Sequence, residues 1–344
     1  MMAFKKYKSK ADTNKWLLIT EGKRYSSEAL RIYMQTHNVM VYDGKDLNNM
    51  SGEIRSDIRS NIEGLVIRLS KRITEDFTSE FRSLKFIASP TTGITHIDEK
   101  VLMDNNLKIF TLKECINKIG NITATGEHTM GLILGLARRT VLYNRSIIEK
   151  NEWNRELYMG SQLSNKTVGI IGLGRIGKQV AKMCHSMSMN VLAYDIKKQN
   201  NKLEDKKEYP YVKYTSIHKL LTNSDIISIN ASYNYGDPPI LGEKEFGLIK
   251  QGALLVNSAR GELLSMESLL KSLKKKRIGG IAVDVVSNED SWKTEIINHP
   301  LAELAREGYN IILTPHIGGC TLESMQSTET ILAKEVNSAL TTVK

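Results

Sequence analysis

Arg260, Glu289 and His316 are the side chains of this sequence whose types could act together on a small carboxylic acid. A guanidinium binds a carboxylate through two parallel hydrogen bonds and stays charged at any working pH. Histidine exchanges protons near neutral pH, and a carboxylate beside an imidazole fixes its orientation and raises its pKa. These groups suit a hydride transfer to a 2-oxo acid, in which the carbonyl oxygen takes up a proton as hydride reaches the carbon.

Each of the three residues also has a structural interpretation. An arginine after a buried strand often caps a helix or forms a salt bridge, and Arg260 follows the apolar segment ALLVNSA. Glu289 lies in the polar run SNEDSW, which is typical of a solvated loop, and Glu262 competes with it as the partner of the histidine. His316 follows a proline at the end of a predicted strand, where a histidine is often only a turn residue. It is favoured as the catalyst because the other histidines lack a comparable setting: His37, His96, His128, His185, His218 and His299.

The segment VGIIGLGRIG, residues 168–177, predicts where a cofactor binds. In the spacing Gly172-x-Gly174-x-x-Gly177, the first glycine allows a tight turn, the second lets a pyrophosphate approach the backbone, and the third lets a helix pack closely. The N-terminus of that helix offers N–H groups and partial positive charge to phosphates. We predict a dinucleotide site here, and the alternative is a tight strand-to-helix turn without a ligand.

Asp195 ends the next predicted strand, NVLAYD, 18 residues after Gly177. A carboxylate at this place accepts hydrogen bonds from the adenosine ribose hydroxyls and repels a 2′-phosphate, which favours NAD over NADP. Lys197 and Lys198 follow it, and they indicate either tolerance of a phosphate or only a solvated turn.

Alternating strands and helices must position these residues. The first 120 or so residues predict strands at 16–20, 39–43, 64–69 and 85–89, with helices at 26–36 and 77–84. Strands at 167–171, 190–195, 225–230, 253–257, 280–284 and 310–314 form a second series that begins with the glycine turn. Such alternation predicts parallel sheets with helices on both faces, and the second series fits a doubly wound dinucleotide fold.

Two helices are predicted outside these series. One pattern runs from Gly126 to about Trp153 with Thr125 as its N-cap, and an amphipathic helix covers 322–340. The polar stretch 198–209 is predicted to be a surface loop.

The bulk composition bounds the possible functions. A length of 344 residues allows two domains, and 41% apolar and 25% charged residues are ordinary for a globular protein. No apolar run approaches the ~20 residues of a membrane span, and no secretory signal is predicted. The net charge of +10 comes from dispersed lysines without aromatic interleaving or a recognition motif, so no nucleic-acid partner is expected. Three widely spaced cysteines, Cys115, Cys184 and Cys320, favour a reducing cytoplasm, no structural disulfide framework and no metal site.

Six stretches of the chain resemble the NAD-dependent D-isomer-specific 2-hydroxyacid dehydrogenases, in the order of that family. They are SPTTGITHID (89–98), TATGEHTMGLILGLAR (123–138), LSNKTVGIIGLGRIGKQVA (163–181), LLVNSARGELL (254–264), GGIAVDVVSNE (279–289) and TPHIGGCT (314–321). They cover most of the chain, and their number and order make the match specific.

The resemblance implies a role for each matched residue. Arg260 would bind the substrate carboxylate, His316 would be the general acid/base, and Glu289 rather than Glu262 would pair with it. The backbone N–H groups of Thr92 and Gly93 would also hold the carboxylate. Asp284 would meet the nicotinamide carboxamide, and the NAD site would further include Gly172, Gly174, Arg175, Ile176, Gly177, Asp195, Ala259, Gly318 and Gly319.

The resemblance also implies an architecture that periodicity does not give. A Rossmann NAD-binding domain, residues 125–318, would be inserted into a discontinuous flavodoxin-like substrate domain made of 1–124 and 319–344. Both would be doubly wound parallel-sheet α/β domains. A homodimer would form through the cofactor domain and its long first helix.

Several positions depart from the family pattern. The loop NASYNYGDPP (230–239) replaces a commoner segment after a cofactor-domain strand, so its cofactor contacts are open. Thr91 and Thr92 stand in the substrate loop, where their hydroxyls would favour a polar substrate tail or bond their own loop. Arg68 would either meet an anionic tail or lie on the surface.

Three other functions are compatible with parts of the pattern. A phosphoglycerate dehydrogenase would need a phosphate site, and a formate dehydrogenase is disfavoured because Glu289 stands where a glutamine is expected. An NAD(H)-sensing scaffold like the corepressors of this fold is disfavoured by the intact set of Arg260, Glu289 and His316.

Overall fold

The chain divides into two compact units, one made of Met1–Ile122 with Thr321–Lys344 and the other of Thr123–Cys320. The predicted boundaries were 124 and 318. The structure, a computed structural model, describes residues 4–44, 50–69, 72–104, 106–196, 209–292 and 295–342. The predictions for Lys197, Lys198 and most of the loop 198–209 lie outside the described residues.

Strands and helices alternate along the described chain. The strands are β1 Phe4–Tyr7, β2 Trp16–Ile19, β3 Asn38–Tyr42, β4 Ile62–Val66, β5 Phe86–Ala88, β6 Lys108–Phe110, β7 Thr167–Ile171, β8 Asn190–Tyr194, β9 Val212–Tyr214, β10 Ile226–Ile229, β11 Ala253–Asn257, β12 Ile278–Val283 and β13 Ile311–Leu313. The helices are α1 Ser27–Tyr33, α2 Ser56–Arg59, α3 Glu75–Ser79, α4 Glu99–Leu102, α5 Ala124–Arg138, α6 Thr140–Lys150, α7 Arg175–Ser186, α8 Ile217–Asn223, α9 Glu243–Leu248, α10 Met266–Lys274, α11 Glu289–Trp292, α12 Pro300–Arg306 and α13 Leu322–Thr341.

The sheet of the first unit has the strand order β1-β3-β2-β4-β5-β6. β2 to β6 are parallel, in the order of flavodoxin-like folds, and β1 is an antiparallel addition at the edge beside β3. The C-terminal helix α13 belongs to this unit, where Leu332, Ala333 and Val336 are buried in one core with Ala29 and Tyr33 of α1. The two ends of the chain therefore share one core.

The sheet of the second unit is fully parallel, with the order β13-β12-β11-β10-β7-β8-β9. From β7 outward this is the doubly wound dinucleotide order extended by one strand. Buried side chains cover both faces, with Ile170 in one core cluster and Ile171 in the other, because neighbouring residues of a strand point to opposite faces. The predicted fold class is confirmed.

The predicted helix from Gly126 to Trp153 is wrong in two respects. It begins at Ala124 with Thr123, not Thr125, as its N-cap, and it is broken into α5 and α6 at Arg139. Arg139 adopts φ 53°, and the Thr140 hydroxyl donates to the Gly135 carbonyl at 3.3 Å, a side-chain bond that competes with the helical ladder. No glycine or proline marks the break, so the periodic pattern hid it.

Smaller errors concern short elements. β1, β6 and β9 were not predicted, because three or four residues carry too little pattern. The predicted helix 77–84 is α3, which starts earlier because the Thr74 hydroxyl accepts the Phe77 N–H at 3.3 Å. None of the helices within the described ranges is both long and apolar enough to cross a membrane.

Candidate active site

The strands of the second sheet end in one row, which brings distant residues to a common edge. The terminal residues paired in that row are Tyr194, Ile171, Ile229, Asn257, Val283 and Leu313. Each strand is followed at once by a residue of interest: Asp195, Gly172, Asn230, Ser258, Asp284 and Thr314. This carboxyl edge of a parallel sheet is where such folds bind ligands.

The glycine turn has the shape that the sequence predicted. Gly172 has φ 87°, and a Cβ at Gly177 would lie 2.1 Å from the Gly172 carbonyl oxygen, so α7 packs directly against the turn. A Cβ at Gly174 would meet open space among the described residues, which leaves its backbone accessible. Arg175, the first residue of α7, is partly buried, and burial lowers the pKa of its guanidinium.

Asp195 is held beside this turn. Its Oδ2 accepts the Leu173 N–H at 2.8 Å, which fixes the carboxylate next to the glycines. The turn, the accessible Gly174 backbone and this carboxylate are the features that a bound NAD requires for its pyrophosphate and its ribose. The residues of this unit therefore fit the cofactor.

The turn after β11 carries Arg260 and is fixed by a fully buried amide. Asn257 donates its Nδ2–H to the Arg260 carbonyl at 2.8 Å and accepts the Ala259 N–H on Oδ1 at 3.0 Å. A Cβ at Gly261 would lie 2.1 Å from the Ser287 nitrogen, so this turn packs directly on the segment that leads to Glu289. Asn257 and Gly261 were not predicted as site residues, although both lie in the stretch LLVNSARGELL that carries Arg260.

Arg260 keeps most of its hydrogen-bonding capacity. Its Nη1 donates to the Ala259 carbonyl at 2.6 Å, and no ion pair joins it to a carboxylate in the part of the chain that the structure describes. Burial lowers the pKa of the guanidinium, whereas the nearby carboxylates of Glu289 and Glu262 raise it. A partly buried cation with donors to spare is suited to a carboxylate ligand.

His316 and Glu289 form a contact between side chains 27 residues apart. The Nδ1 atom of His316 lies 2.8 Å from Oε2 of Glu289, and the side chains are 25% and 36% exposed. The contact occupies Nδ1 and leaves Nε2 as the nitrogen that can exchange a proton with a ligand. Of the two acidic partners proposed from the sequence, Glu289 is the one placed against the imidazole, and Glu262 is not.

Asp284 accepts most of the hydrogen bonds that hold the loop carrying His316. Its backbone carbonyl accepts the His316 N–H at 2.8 Å, and its carboxylate accepts the N–H groups of Ile317 and Gly318 at 2.9 and 2.7 Å and the Thr314 hydroxyl at 2.6 Å. The side chain is 1% exposed. Sequence reasoning placed Asp284 at the cofactor and missed these bonds, because Thr314 to Gly318 lie some thirty residues away.

The remaining predicted residues lie at separate places. Gly319 is open and Gly318 packs on Asp284, both in the loop after β13. Thr92 is exposed and Gly93 half-buried in the loop after β5, in the first unit. In that loop the Thr91 hydroxyl donates to the Gly93 carbonyl at 2.7 Å, as expected if it bonds its own loop. Within the described residues no group of three or more His, Cys, Asp or Glu side chains could hold a metal ion.

Arg68 is not a surface residue, and it already has a partner. Its side chain is 14% exposed and forms an ion pair with Glu329 of α13, which is itself 1% exposed. Its guanidinium also lies over the Tyr25 ring at 5.3 Å, and Nη1 donates to the Lys23 carbonyl at 3.2 Å.

Comparisons with known proteins place this chain among dehydrogenases. Residues 130–318 match the family described as "D-isomer specific 2-hydroxyacid dehydrogenase, NAD binding domain". A Staphylococcus haemolyticus protein named as a 2-hydroxyacid dehydrogenase is 31% identical over 255 residues, 74% of each chain. D-3-phosphoglycerate dehydrogenase of Archaeoglobus fulgidus is 31% identical over 74% of this chain, which spans only 45% of that relative. The fold is that of Aquifex aeolicus D-lactate dehydrogenase, solved with NAD and lactic acid, at a TM-score of 0.75 and 24% identity over 95% of this chain and 96% of that one.

Proposed function

Since the chain belongs to the D-isomer specific 2-hydroxyacid dehydrogenases, oxidoreductases that act on CH–OH donors with NAD, we propose that it interconverts a small D-2-hydroxy acid and its 2-oxo acid. The observation that carries the proposal is the 2.8 Å contact of His316 with Glu289, in the unit that holds the glycine turn and Arg260. Bound NAD supplies or takes up the hydride. The side chains of this protein bind the acid and move the proton.

Arg260 binds the substrate carboxylate. Its guanidinium is partly buried, carries no carboxylate partner within the described residues, and presents donors in a fork that matches two carboxylate oxygens. Two such bonds fix the orientation of the carbonyl group next to the carboxylate. Thr92 and Gly93 remain predicted second contacts of that carboxylate.

His316 moves the proton at its Nε2 atom. In the direction of reduction, Nε2–H gives its proton to the carbonyl oxygen as the carbon accepts hydride, and the product is the hydroxy acid. In oxidation Nε2 takes the hydroxyl proton. Glu289 accepts the Nδ1–H bond, which holds the ring and stabilises the charged imidazolium during part of the cycle.

The cofactor is held by the carboxyl edge of the second sheet. The backbone of Gly174, Arg175 and Ile176 faces the pyrophosphate and Asp195 accepts bonds from the ribose hydroxyls, which selects NAD over NADP. The role of Asp284 at the carboxamide, and those of Ala259, Gly318 and Gly319, stay predictions from the resemblance. A location in the cytoplasm stays a prediction from the three widely spaced cysteines.

The protein forms a homodimer through α5, α6 and the segment that follows them. α6 and the segment after it expose large apolar side chains, with Ile148 of α6 76%, Trp153 89% and Met159 73% exposed. Exposed apolar groups of this size mark interaction surfaces. Sedimentation velocity should give twice the monomer mass, and a monomer at micromolar concentration would reject this part of the proposal.

The function is tested by following NADH oxidation with a panel of 2-oxo acids. The panel should include glyoxylate, pyruvate, longer aliphatic and aromatic 2-oxo acids and a phosphorylated 2-oxo acid, with NADPH in parallel. We expect turnover with at least one unphosphorylated acid and a preference for NADH. Tight NADH binding without turnover of any acid would favour the sensing scaffold instead.

A phosphoglycerate dehydrogenase is the second candidate, because one relative carries that name. The phosphorylated acid in the panel decides between the two. Arg68, the arginine that the sequence offered for an anionic tail, is already paired with Glu329, which favours an unphosphorylated substrate.

A further inference from the structure

His128 lies next to Asp284, the residue that holds the loop carrying His316. It is part of α5, and its Nε2 atom is 3.1 Å from the Thr314 hydroxyl and 3.2 Å from Oδ1 of Asp284. The His128 side chain is 19% exposed and that of Asp284 only 1%. Gly318 packs over the same place, since a Cβ there would lie 3.0 Å from Asp284 Oδ2 and 3.7 Å from His128 Cδ2.

The hydrogens that its neighbours can donate decide which ring nitrogen of His128 carries the proton. The single hydroxyl hydrogen of Thr314 goes to Asp284, since the 2.6 Å contact joins it to a carboxylate that can only accept. Both neighbours of His128 Nε2 therefore present lone pairs. Nε2 must carry a hydrogen to bond either of them, so His128 is the donor.

The group that His128 binds is the one that shapes the backbone at His316. His316 has φ 55°, a conformation that costs a residue with a Cβ about 1 kcal/mol or more. It is held by the bond from its N–H to the Asp284 carbonyl, and the next two N–H groups bond the Asp284 carboxylate. A shift of Asp284 would therefore move the backbone on both sides of the imidazole.

We propose that His128 is a positioning residue for the reaction: its Nε2–H fixes Asp284 and Thr314 to the long helix α5, and through them sets the orientation of His316. The inference rests on the proposed role of His316. No hydrogen bond or ion pair joins His128 to Arg260 or His316 within the described residues, so His128 acts through the Asp284 bonds that hold the His316 backbone, and we expect its main effect on the rate of the chemical step.

The test compares His128→Leu with His128→Gln, since leucine removes the donor and the glutamine amide can place an N–H near the same point. His218→Leu, an exposed histidine of α8, is the matched control. With rates normalised to the number of NADH sites found by fluorescence titration, His128→Leu should lower kcat about tenfold, or 1.4 kcal/mol. KM and the NADH dissociation constant should change less than threefold, and His128→Gln should recover most of the rate.

A purely structural role would look different. It would lower the melting temperature and the fraction of NADH sites in both variants while kcat per site stayed within twofold of wild type. That result, or a glutamine variant as slow as the leucine one, overturns the proposal.

A second measurement does not depend on turnover. In long-range proton–nitrogen NMR spectra of histidine-labelled protein, the His128 signals, identified by their loss in His128→Leu, should show the Nε2–H form at neutral pH. The His316 signals should shift in His128→Leu and return in His128→Gln. If no 2-oxo acid is reduced, the proposed function fails while these spectra still decide whether His128 orders the His316 loop. An Nδ1–H form of His128 would reject the inference under either outcome.

Discussion

Arg68 and Arg260 both follow a buried strand that is parallel to its neighbours, one in each unit, and the structure uses them in opposite ways. Arg68 comes shortly after β4 and is paired with Glu329, while its ring contact with Tyr25 covers one face. Arg260 comes shortly after β11, and within the described residues its guanidinium donates to the carbonyl of its own neighbour, Ala259, and forms no ion pair. Both arginines are partly buried. What separates a structural cation from a ligand-binding one is therefore its partner, not its burial.

The Arg68–Glu329 pair joins segments that are far apart in sequence. Burial raises the pKa of the Glu329 carboxyl, and Arg68 and the Ser26 N–H, 2.7 Å from Oε2, oppose that rise. Ser26 caps α1 and Glu329 lies in α13, so the pair ties the C-terminal helix to the start of the chain. In the second unit, Arg260 lies near the carboxylates of Glu289 and Glu262, and no ion pair joins it to either of them within the described residues.

The largest expected effect of the difference between the two units is on the catalytic rate. His316→Ala should lower kcat by ~10²–10⁴-fold, because the group that donates the proton is gone. The melting temperature and the NADH dissociation constant should stay near those of the wild type, since the imidazole is partly exposed and outside the cores. Stopped-flow NADH oxidation and fluorescence titration measure both. Turnover within threefold of the wild type would remove His316 from the mechanism.

The next effect is on stability and belongs to the first unit. Arg68→Met leaves a buried carboxylate alone, which should cost about 3–5 kcal/mol of unfolding free energy at neutral pH. The double variant Arg68→Met/Glu329→Leu should recover most of the loss. Trp16 lies in this unit, so urea unfolding followed by its fluorescence, with Trp153 and Trp292 replaced by Phe, reports on it.

The pH dependence of that loss has a defined sign. The pKa of Glu329 is already above its usual value, and removal of Arg68 raises it further, so protonation in the folded state relieves the penalty as pH falls. The deficit of Arg68→Met should therefore shrink between about pH 7 and pH 5. A deficit that grows on acidification, or a double variant as unstable as the single one, would contradict a buried charge pair.

The sequence predicted the edge of the second sheet well because each feature there is local. The glycine spacing requires a tight turn, the apolar runs require buried strands, and parallel strands align their ends, so Asp195, Asp284 and His316 had to come to one edge. The pairing of His316 with Glu289 rather than Glu262 is different. Spacing left it open, the resemblance implied Glu289, and in the structure Glu289 Oε2 lies 2.8 Å from His316 Nδ1.

The sequence could not predict contacts that depend on distant partners. No residue near Arg68 in the sequence indicates that Glu329 is its partner. Likewise, no residue near His128 indicates its contact with Thr314, which lies 186 residues away. The break at Arg139 was hidden for the opposite reason, since the apolar period continues through it. Local pattern therefore identifies which residue types line an edge, and only packing tells which of their charges are already paired.

The smallest effect tests the comparison most directly, because one substitution can be made at both arginines. Arg260→Lys keeps the charge and removes the two-bond fork, so kcat/KM should fall about 10–100-fold, with KM raised and kcat lowered together. The same change at Arg68 should leave kcat/KM within about threefold and lower the unfolding free energy by about 1–2 kcal/mol, because a point charge replaces a fork that binds Glu329 and the Lys23 carbonyl. Steady-state kinetics give kcat/KM, and urea unfolding gives the unfolding free energy, for both variants. If Arg260→Lys left KM unchanged, or if Arg68→Lys cost as much activity as Arg260→Lys, the division between a fold-holding arginine and a substrate-binding one would not hold.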